Sequence, residues 1–205
     1  MPIDSIPDAE ERVNTDYCDV LMSLMPMAPE MTLRFAMAVP VLDSAVGLVV
    51  EDHRRRAFRT WDAIRALGPV RIASSDSLAS RRFLDQTLPG AQPVLFEDND
   101  DLNALLSADP LIFDALLMPA EEGAAWTIRY PRFNLVTPSP ILIVPFAYAV
   151  QQGDDALLDF LNAWLLNARG NGTVDALYRY WMLGQVQQTK PPRWSVVRDV
   201  LGWVD

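Results

Sequence analysis

The stretch YCDVLMSLMPMAPEMTLRFAMAVP, residues 17–40, decides the fold of this 205-residue chain. Residues 17–23 alternate towards apolar side chains and predict a strand. Ala28-Pro29-Glu30-Met31 then predicts a helix start, because proline suits the first helical turn and glutamate is favoured near the positive end of the helix dipole. A strand that leads into a helix start directs backbone N–H groups towards a cleft, where anionic groups bind readily. The stretch therefore predicts one wall of a binding cleft.

Beyond this stretch, short apolar runs alternate with amphipathic runs. They predict strands over residues 45–50, 70–74, 93–96 and 115–118, and helices over residues 61–67, 78–88, 100–106 and 120–130. Thr60 is predicted to cap the first of these helices, and Asp98 or Asn99 the third. The alternation implies a mainly parallel sheet that helices cover on both faces, with ligands at the carboxyl ends of the strands.

The most apolar run, residues 135–150, is not predicted to span a membrane. It is shorter than the roughly 20 residues that a spanning helix needs, and its prolines would break a helix repeatedly. Buried strands over residues 133–136 and 146–150, joined by a proline-rich crossover, are predicted instead. Two helices are predicted to follow, from Asp154 or Asp155 to residue 169 and over residues 173–181 with Thr173 as the cap.

Two parts of the chain resemble one family. Ser23-Leu24-Met25, Ala28-Pro29-Glu30-Met31 and Pro40 resemble the Ser-Gly-Met, Thr-Pro-Glu-Arg and Pro signature of the family 3 bacterial extracellular solute-binding proteins, and residues 148–181 resemble that family's C-terminal return. The resemblance implies an α/β, type II periplasmic-binding-protein-like fold of two lobes, with the second lobe complete and the first partial. Its implied divisions are a remnant of lobe 1 with the first hinge strand (1–49), lobe 2 (50–144), the return crossover with C-terminal helices of lobe 1 (145–185) and a C-terminal tail (186–205).

Residues 114–131 and the tail motif at residues 193–203 resemble a narrower group, the solute-binding domains fused behind cation:dicarboxylate symporter domains. This implies a membrane transporter as partner, in the same longer polypeptide, and a location on the periplasmic or extracytoplasmic side of the membrane. Residues 1–14 are acidic and polar and contain no signal peptide. Members of the family begin with an export signal and most of lobe 1, so we expect the chain to be N-terminally truncated.

The resemblance implies that the cleft captures an amino acid or a related small carboxylate for delivery to a transporter. In the family a threonine and an arginine grip the ligand's α-carboxylate, but Ala28 and Met31 occupy those positions here. Arg34, just under one helical turn beyond Met31, is the candidate substitute. Ser23 and Met25 complete the candidate ligand contacts from the first lobe.

The second-lobe candidates Ser75, Asp76 and Ser77 lie between a predicted strand and a predicted helix. Hydroxyls and free N–H groups at a helix N-terminus can hold a carboxylate. Capping of the helix by Asp76 or Ser77 would equally explain the residue types, and one loop can do both. The carboxylate of Asp76 would favour a ligand cation instead.

Glu121, with Glu122 beside it, and Met118 are the candidates at the end of the next predicted strand. The family places an acidic residue near this point to bind the ligand's amino group, and Glu121 is a displaced match. The alternative is that Glu121 only belongs to the acid-rich first turn of a helix. Met118 and Met25 could line an apolar pocket or belong to the core, and core placement is the commoner use of such residues.

The composition excludes several other functions. The net charge of −10 opposes binding to nucleic acid or anionic lipid, and the basic run Arg54-Arg55-Arg56 is predicted to be a solvated loop over the hinge. One histidine, one cysteine and no catalytic motif predict neither a metal site nor a cofactor. The chain is therefore predicted not to be an enzyme. The alternatives are a dehydratase-like enzyme on this fold, with Glu121 as the acid–base group, and a truncated module that binds nothing.

Overall fold

The computed structural model describes residues 6–182, apart from the side chains of Ile6 and Leu24, so the predicted C-terminal tail and its motif lie outside the described residues. The chain divides into two compact units, Met1–Leu166 and Asn167–Asp205. In chain order the elements are α1 Ile6–Asn14, β1 Val20–Pro26, α2 Pro29–Thr32, β2 Ala36–Met37, β3 Leu42–Glu51, a 3-10 helix Asp52–Phe58, α3 Trp61–Ala66, β4 Arg71–Ser75, α4 Leu78–Thr87, β5 Gln92–Phe96, α5 Asn99–Ser107, β6 Ala115–Pro119, α6 Ala120–Arg129, β7 Phe133–Val136, β8 Ile143–Val150, α7 Asp155–Gly170 and α8 Thr173–Trp181.

The strand β3 belongs to two sheets. Its first half, from Leu42 to Ala45, pairs antiparallel with β8. Its second half pairs antiparallel with β6 through residues 46–49 and with β7 through residues 48–51. We call β1, β2, β8 and the first half of β3 the first sheet, and the second half of β3 with β4 to β7 the second sheet. Every residue from 46 to 50 is buried, which explains the unbroken apolar run VGLVV.

The first sheet is centred on β8, to which β1, β2 and β3 are all antiparallel. Its core contains Ala9 and Val13 of α1, together with Leu21, Met25, Met31, Phe35 and Ala149. Later in the chain, α7 is attached to this region by the Asn162 Oδ1 atom, which accepts the N–H of Val39 at 2.8 Å.

The second sheet is mixed, so the prediction of a mainly parallel sheet holds only for part of it. β4 is parallel to β5 and β6, but β6 and β7 are antiparallel to β3. The reason is that β3 enters from the first sheet, a connection that the βα alternation could not reveal. Phe58, Trp61, Ile64 and Leu84 pack in one core cluster of this sheet, and Leu102, Leu106, Phe113 and Phe133 pack in another.

Side-chain caps begin several helices as predicted. Thr60 Oγ1 accepts the N–H of Ala63 at 3.1 Å, and Asp98 Oδ1 accepts those of Asp100 and Asp101 at 2.8 and 2.9 Å. The prediction that Thr173 caps α8 is wrong. Thr173 is already helical, and Gly172, whose φ of 80° suits glycine, occupies the cap position.

The second unit is described over residues 167–182, which contain the end of α7 and all of α8. Asn171 donates its backbone N–H to the Asn167 carbonyl at 2.9 Å, and Arg179 pairs with Asp175 at 2.9 Å. None of the helices in the described part of the chain combines the length and apolar character needed to cross a membrane.

The basic run Arg54-Arg55-Arg56 was predicted to be a solvated loop, but it lies in the 3-10 helix. Two of its arginines form ion pairs with acidic residues. Arg54 Nη1 lies 2.8 Å from Asp114 Oδ1, and Arg55 pairs with Asp52 at 3.4 Å. The backbone N–H of Arg71 donates to Asp114 Oδ2 at 2.8 Å. Burial by itself would raise the pKa of Asp114, but the hydrogen bonds from Arg71 and Arg54 outweigh it and lower that pKa from 3.8 to about 2.

Replacing Asp114 tests this cluster. Because the pKa is depressed in the folded state, the carboxylate stabilises the fold above about pH 4 and loses that effect as the pH falls towards 2. We expect Asp114→Asn to lower the free energy of unfolding by about 2 kcal/mol at pH 7, measured by urea titration. The difference from wild type should narrow between about pH 4 and pH 2. Asp85→Asn, at an exposed position of α4, is the control and should change little.

Gly47 of β3 allows α6 to pack closely on the second sheet. A Cβ atom at this position would lie 3.2 Å from the Cα of Ala120 and 2.7 Å from the Cδ1 of Leu135. The backbone atom cannot yield as a flexible side chain can. This close contact therefore fixes how near the first turn of α6 stands to β3.

Gly47→Ala should accordingly destabilise the fold. We expect a loss of about 1–3 kcal/mol in the free energy of unfolding, the usual effect of overpacking, measured by urea titration. Gly170→Ala is the control, since among the described residues no atom outside the adjoining helix backbone lies within 4 Å of the added Cβ there. If Gly47→Ala unfolded at the same urea concentration as wild type, α6 would be able to move away from β3 without loss of stability.

Candidate functional site

A cavity of about 480 Å³ opens where the two sheets meet beside β3. This volume falls within the range of sites that enclose small organic molecules. The lining residues come from both sheets: Pro26, Met27, Ala28, Pro29, Ser44, Ala45, Val46, Ser75, Ser77, Ala79, Ser80, Phe83, Leu117, Met118, Pro119, Glu122, Val144 and Phe146. The strand β3 supplies the floor through residues 44–46, at the point where its pairing changes from one sheet to the other.

The junction of β1 and α2 forms the wall that the opening stretch predicts. Ala28 precedes α2 in an extended conformation, and Pro29 occupies the first turn. Ala28 has no side chain that could accept a hydrogen bond from the helix start. Met31 is 5% exposed and packs in the core of the first sheet, so it does not line the cavity. The junction offers the ligand apolar surface.

The junction of β4 and α4 forms the facing wall. Ser77 Oγ accepts the N–H of Ser80 at 3.1 Å, so Ser77 caps α4 and lines the cavity at once. Ser75 also lines the cavity, with its Oγ 3.1 Å from Ser80 Oγ. Asp76 is not a lining residue, and Arg81 donates to its Oδ1 through Nε at 3.0 Å and Nη2 at 2.8 Å.

Two neighbouring glutamates in the first turn of α6 have different surroundings. Glu121, the one predicted from the sequence, accepts a hydrogen bond from Ser44 Oγ and does not line the cavity. Glu122 lines the cavity. Burial raises the pKa of Glu122, and a hydrogen bond with Trp126 opposes that shift. Met118 at the end of β6 is 7% exposed and both lines the cavity and packs in the core.

The predicted contacts from the first lobe lie elsewhere. Ser23 is exposed on β1, and Met25 is 4% exposed in the core of the first sheet. Arg34 forms an ion pair with Glu10 of α1. None of the three lines the cavity. Glu10 could not be foreseen as the partner of Arg34, because α1 carries so few apolar residues that the sequence did not predict it as a helix.

Two polar contacts connect the first sheet with the second across the cavity. Glu30 of α2 forms an ion pair with Arg82 of α4, and Ser44 donates to Glu121. Glu30 and Arg82 are each next in sequence to a residue that lines the cavity, Pro29 and Phe83. The Glu30 side chain is 11% exposed, and its Oε1 has the Arg82 cation beside it but no well-directed hydrogen bond. The pair holds the walls together at the edge of the cavity.

The chemistry of the cavity is mainly apolar. Among the described residues that line it, four serines supply hydroxyl groups and Glu122 is the one charged residue. Such a site can enclose a small organic molecule, bind its polar atoms through hydroxyls and balance one positive charge. Within residues 6–182, no group of three histidine, cysteine or acidic side chains is placed to hold a metal ion.

Residues 4–184 match the family model of the bacterial extracellular solute-binding proteins, family 3. An amino acid ABC transporter substrate-binding protein from Streptococcus pneumoniae, bound to L-arginine, is similar with a TM-score of 0.72 and 13% identity over 90% of this chain and 76% of that chain. The solute receptor for L-cysteine of Neisseria gonorrhoeae has a TM-score of 0.69 and 19% identity over 90% and 72%. No curated protein matches the chain.

An ancestral amino acid-binding protein, a precursor of cyclohexadienyl dehydratase, is also similar, with a TM-score of 0.68 and 22% identity over 84% of this chain and 72% of that chain. At these identities the likeness shows the fold alone. It confirms the predicted type II periplasmic-binding-protein-like α/β fold.

The Glu30–Arg82 pair is expected to hold the cavity closed. Glu30→Gln or Arg82→Gln should each increase the radius of gyration in small-angle X-ray scattering, because either change leaves one charge without its partner across the cavity. The double variant should open no further than the single variants, since both remove the same contact. Arg55→Gln, which breaks an exposed pair within the 3-10 helix, is the control. Single variants as compact as wild type would contradict this role.

Proposed function

The chain belongs to the bacterial extracellular solute-binding proteins, family 3, and from this premise we propose that it is the solute-binding module of a bacterial transport system. It captures a small solute in the cavity between the two sheets and delivers it to a membrane transporter. The observation that carries the proposal is the cavity of about 480 Å³, which is lined from both sheets and closed at its edge by Glu30 and Arg82.

The course of β3 supports capture by hinge closure. The pairing of β3 changes sheets between Ala45 and Val46, and both residues line the cavity. A small backbone rotation there would move α2 away from α4 and open the cavity, whereas closure would remove the solute from water. The two contacts between the sheets, Glu30 with Arg82 and Ser44 with Glu121, would form on closure.

The family resemblance suggests a specific class of solute and a specific partner. An amino acid or related small carboxylate is the first class to test. The partner is a membrane transporter domain of the cation:dicarboxylate symporter type, in the same longer polypeptide, with the module on the periplasmic or extracytoplasmic side. Binding is favoured over catalysis because Glu122 is the one ionisable side chain among the described residues that line the cavity.

A thermal-shift screen tests solute capture. The purified chain is heated with a library of amino acids, carboxylates, amines and sugars. A solute present at about one hundred times its dissociation constant should add about 2.7 kcal/mol of stability, which raises the melting temperature by roughly 5–10 °C. The proposal fails if no compound in the library shifts the melting temperature.

A matched pair of variants tests whether the solute that raises the melting temperature binds in the cavity. Ala79→Phe places a large side chain in the cavity and should abolish the shift. Ala104→Phe makes the same change at an exposed position of α5 and should preserve it. A shift that survives Ala79→Phe would place binding outside the cavity.

A further inference from the structure

We propose that Trp61 of α3 is a positioning residue for solute capture, because it fixes the segment through which the chain returns from the second sheet to the first. Trp61 is 3% exposed, packs in the core of the second sheet and is not a lining residue of the cavity. The inference rests on the hinge closure of the proposed function, and it assigns to Trp61 the control of where the hinge bends.

Two segments connect the sheets in the described part of the chain. β3 makes the first crossing at Ala45 and Val46, and residues 137–142 make the second, between β7 and β8. The crossings lie side by side, because Ala45 is opposite Ile143 and the N–H of Val46 donates to the Leu142 carbonyl at 2.8 Å. A rotation that opens the cavity must therefore bend both crossings.

The start of α3 holds the first part of the second crossing. Trp61 Nε1 donates to the Pro140 carbonyl at 2.9 Å, and the backbone N–H of Trp61 donates to the Ser139 carbonyl at 3.3 Å. The N–H of Ser139 donates in turn to the Arg59 carbonyl at 2.8 Å. We call residues 137–140 the anchored segment. The bend is then confined to residues 141 and 142, which we call the pivot.

The ring of Trp61 connects the anchored segment with the wall of the cavity. It meets the ring of Phe83 of α4 edge to face, with the centroids 5.9 Å apart and the planes at 70°. Phe83 lines the cavity. Arg65 of α3 also donates through Nε to the Thr87 carbonyl of α4 at 3.0 Å. The anchored segment, α3 and α4 therefore move together with the second sheet, and Phe83 keeps its place when the cavity opens.

The indole N–H is the part of Trp61 that confines the bend. Without it the rotation would spread over residues 137–142 instead of the pivot alone. Backbone strain rises roughly with the square of the distortion at each residue, so a bend shared among more residues costs less. The open form of the cavity would then be more populated.

Trp61→Phe tests this role, because it removes the N–H and keeps an aromatic ring. Spin labels at Thr32→Cys on α2 and Asp85→Cys on α4, two exposed positions, measure the separation of the walls by double electron–electron resonance in a Cys18→Ser background. We expect the ratio of open to closed chains to rise about fivefold, the effect of one net hydrogen bond.

Ile64→Val is the control for loss of stability. It shortens a fully buried side chain of α3 in the same core cluster and removes no hydrogen bond to the anchored segment. It should lower the melting temperature and leave the label distances unchanged. If Trp61→Phe also lowers only the melting temperature, Trp61 is merely structural and the inference is overturned. An equal opening in Ile64→Val would overturn it as well.

Hydrogen exchange in the unaltered chain is a second test, which does not depend on the folding of a variant. The Val46 N–H is bonded across the pivot, whereas the Ser139 N–H is bonded within the anchored segment. After correction for intrinsic rates, NMR should show Ser139 exchanging at least about tenfold more slowly than Val46, since opening disturbs the bond at the pivot. Equal protection of the two N–H groups would overturn the inference.

Both tests are made without a solute, so their outcome is separate from that of the proposed function. If the label distances and the exchange rates agree with expectation but no library compound binds, solute capture is overturned and the position of the hinge stands. If a library compound binds but the label distances do not change in Trp61→Phe, solute capture stands and the role of Trp61 is overturned.

Discussion

The structure depends on the backbone hydrogen bonds of one strand, β3, which pairs with β8 through its first half and with β6 and β7 through its second. A continuous strand with fixed register on both sides ties the two sheets together. It also places the change of partner between Ala45 and Val46, beside the cavity. The cavity therefore lies at the place where a small rotation would separate its walls most directly.

The arginines at the edge of the cavity are paired with acidic residues. The chain is acidic, with 27 acidic residues against 17 basic ones, so acidic partners are plentiful for each arginine. Arg81 and Arg82 of α4 are held by Asp76 and Glu30 at the edge of the cavity. Glu122 is the one charged residue among the described residues that line the cavity. The same imbalance that opposes binding to nucleic acid thus leaves the cavity with negative character.

The candidate site was only partly predictable, and particular residues show why. Ser75, Ser77 and Met118 were predicted and do line the cavity, because each follows or ends a strand whose carboxyl end faces it. Glu121 was preferred over Glu122, yet adjacent residues on a helix point about 100° apart, and the sequence does not fix the rotation of α6. Met25 and Arg34 were assigned to the ligand, but α1, which the sequence did not predict, contributes to the core around Met25 and pairs with Arg34.

The sequence by itself determined the strands and helices of the α/β framework, because periodicity, proline, glycine and capping residues act within a few neighbouring positions. It missed α1, which carries few apolar residues, β2, whose two residues are too few to show a period, and the mixed direction of the second sheet. Only the tertiary structure decided that β3 is shared by both sheets, that Glu30 reaches Arg82 and that Glu122 lines the cavity. These features depend on register and helix rotation, which are fixed by contacts between residues far apart in the chain.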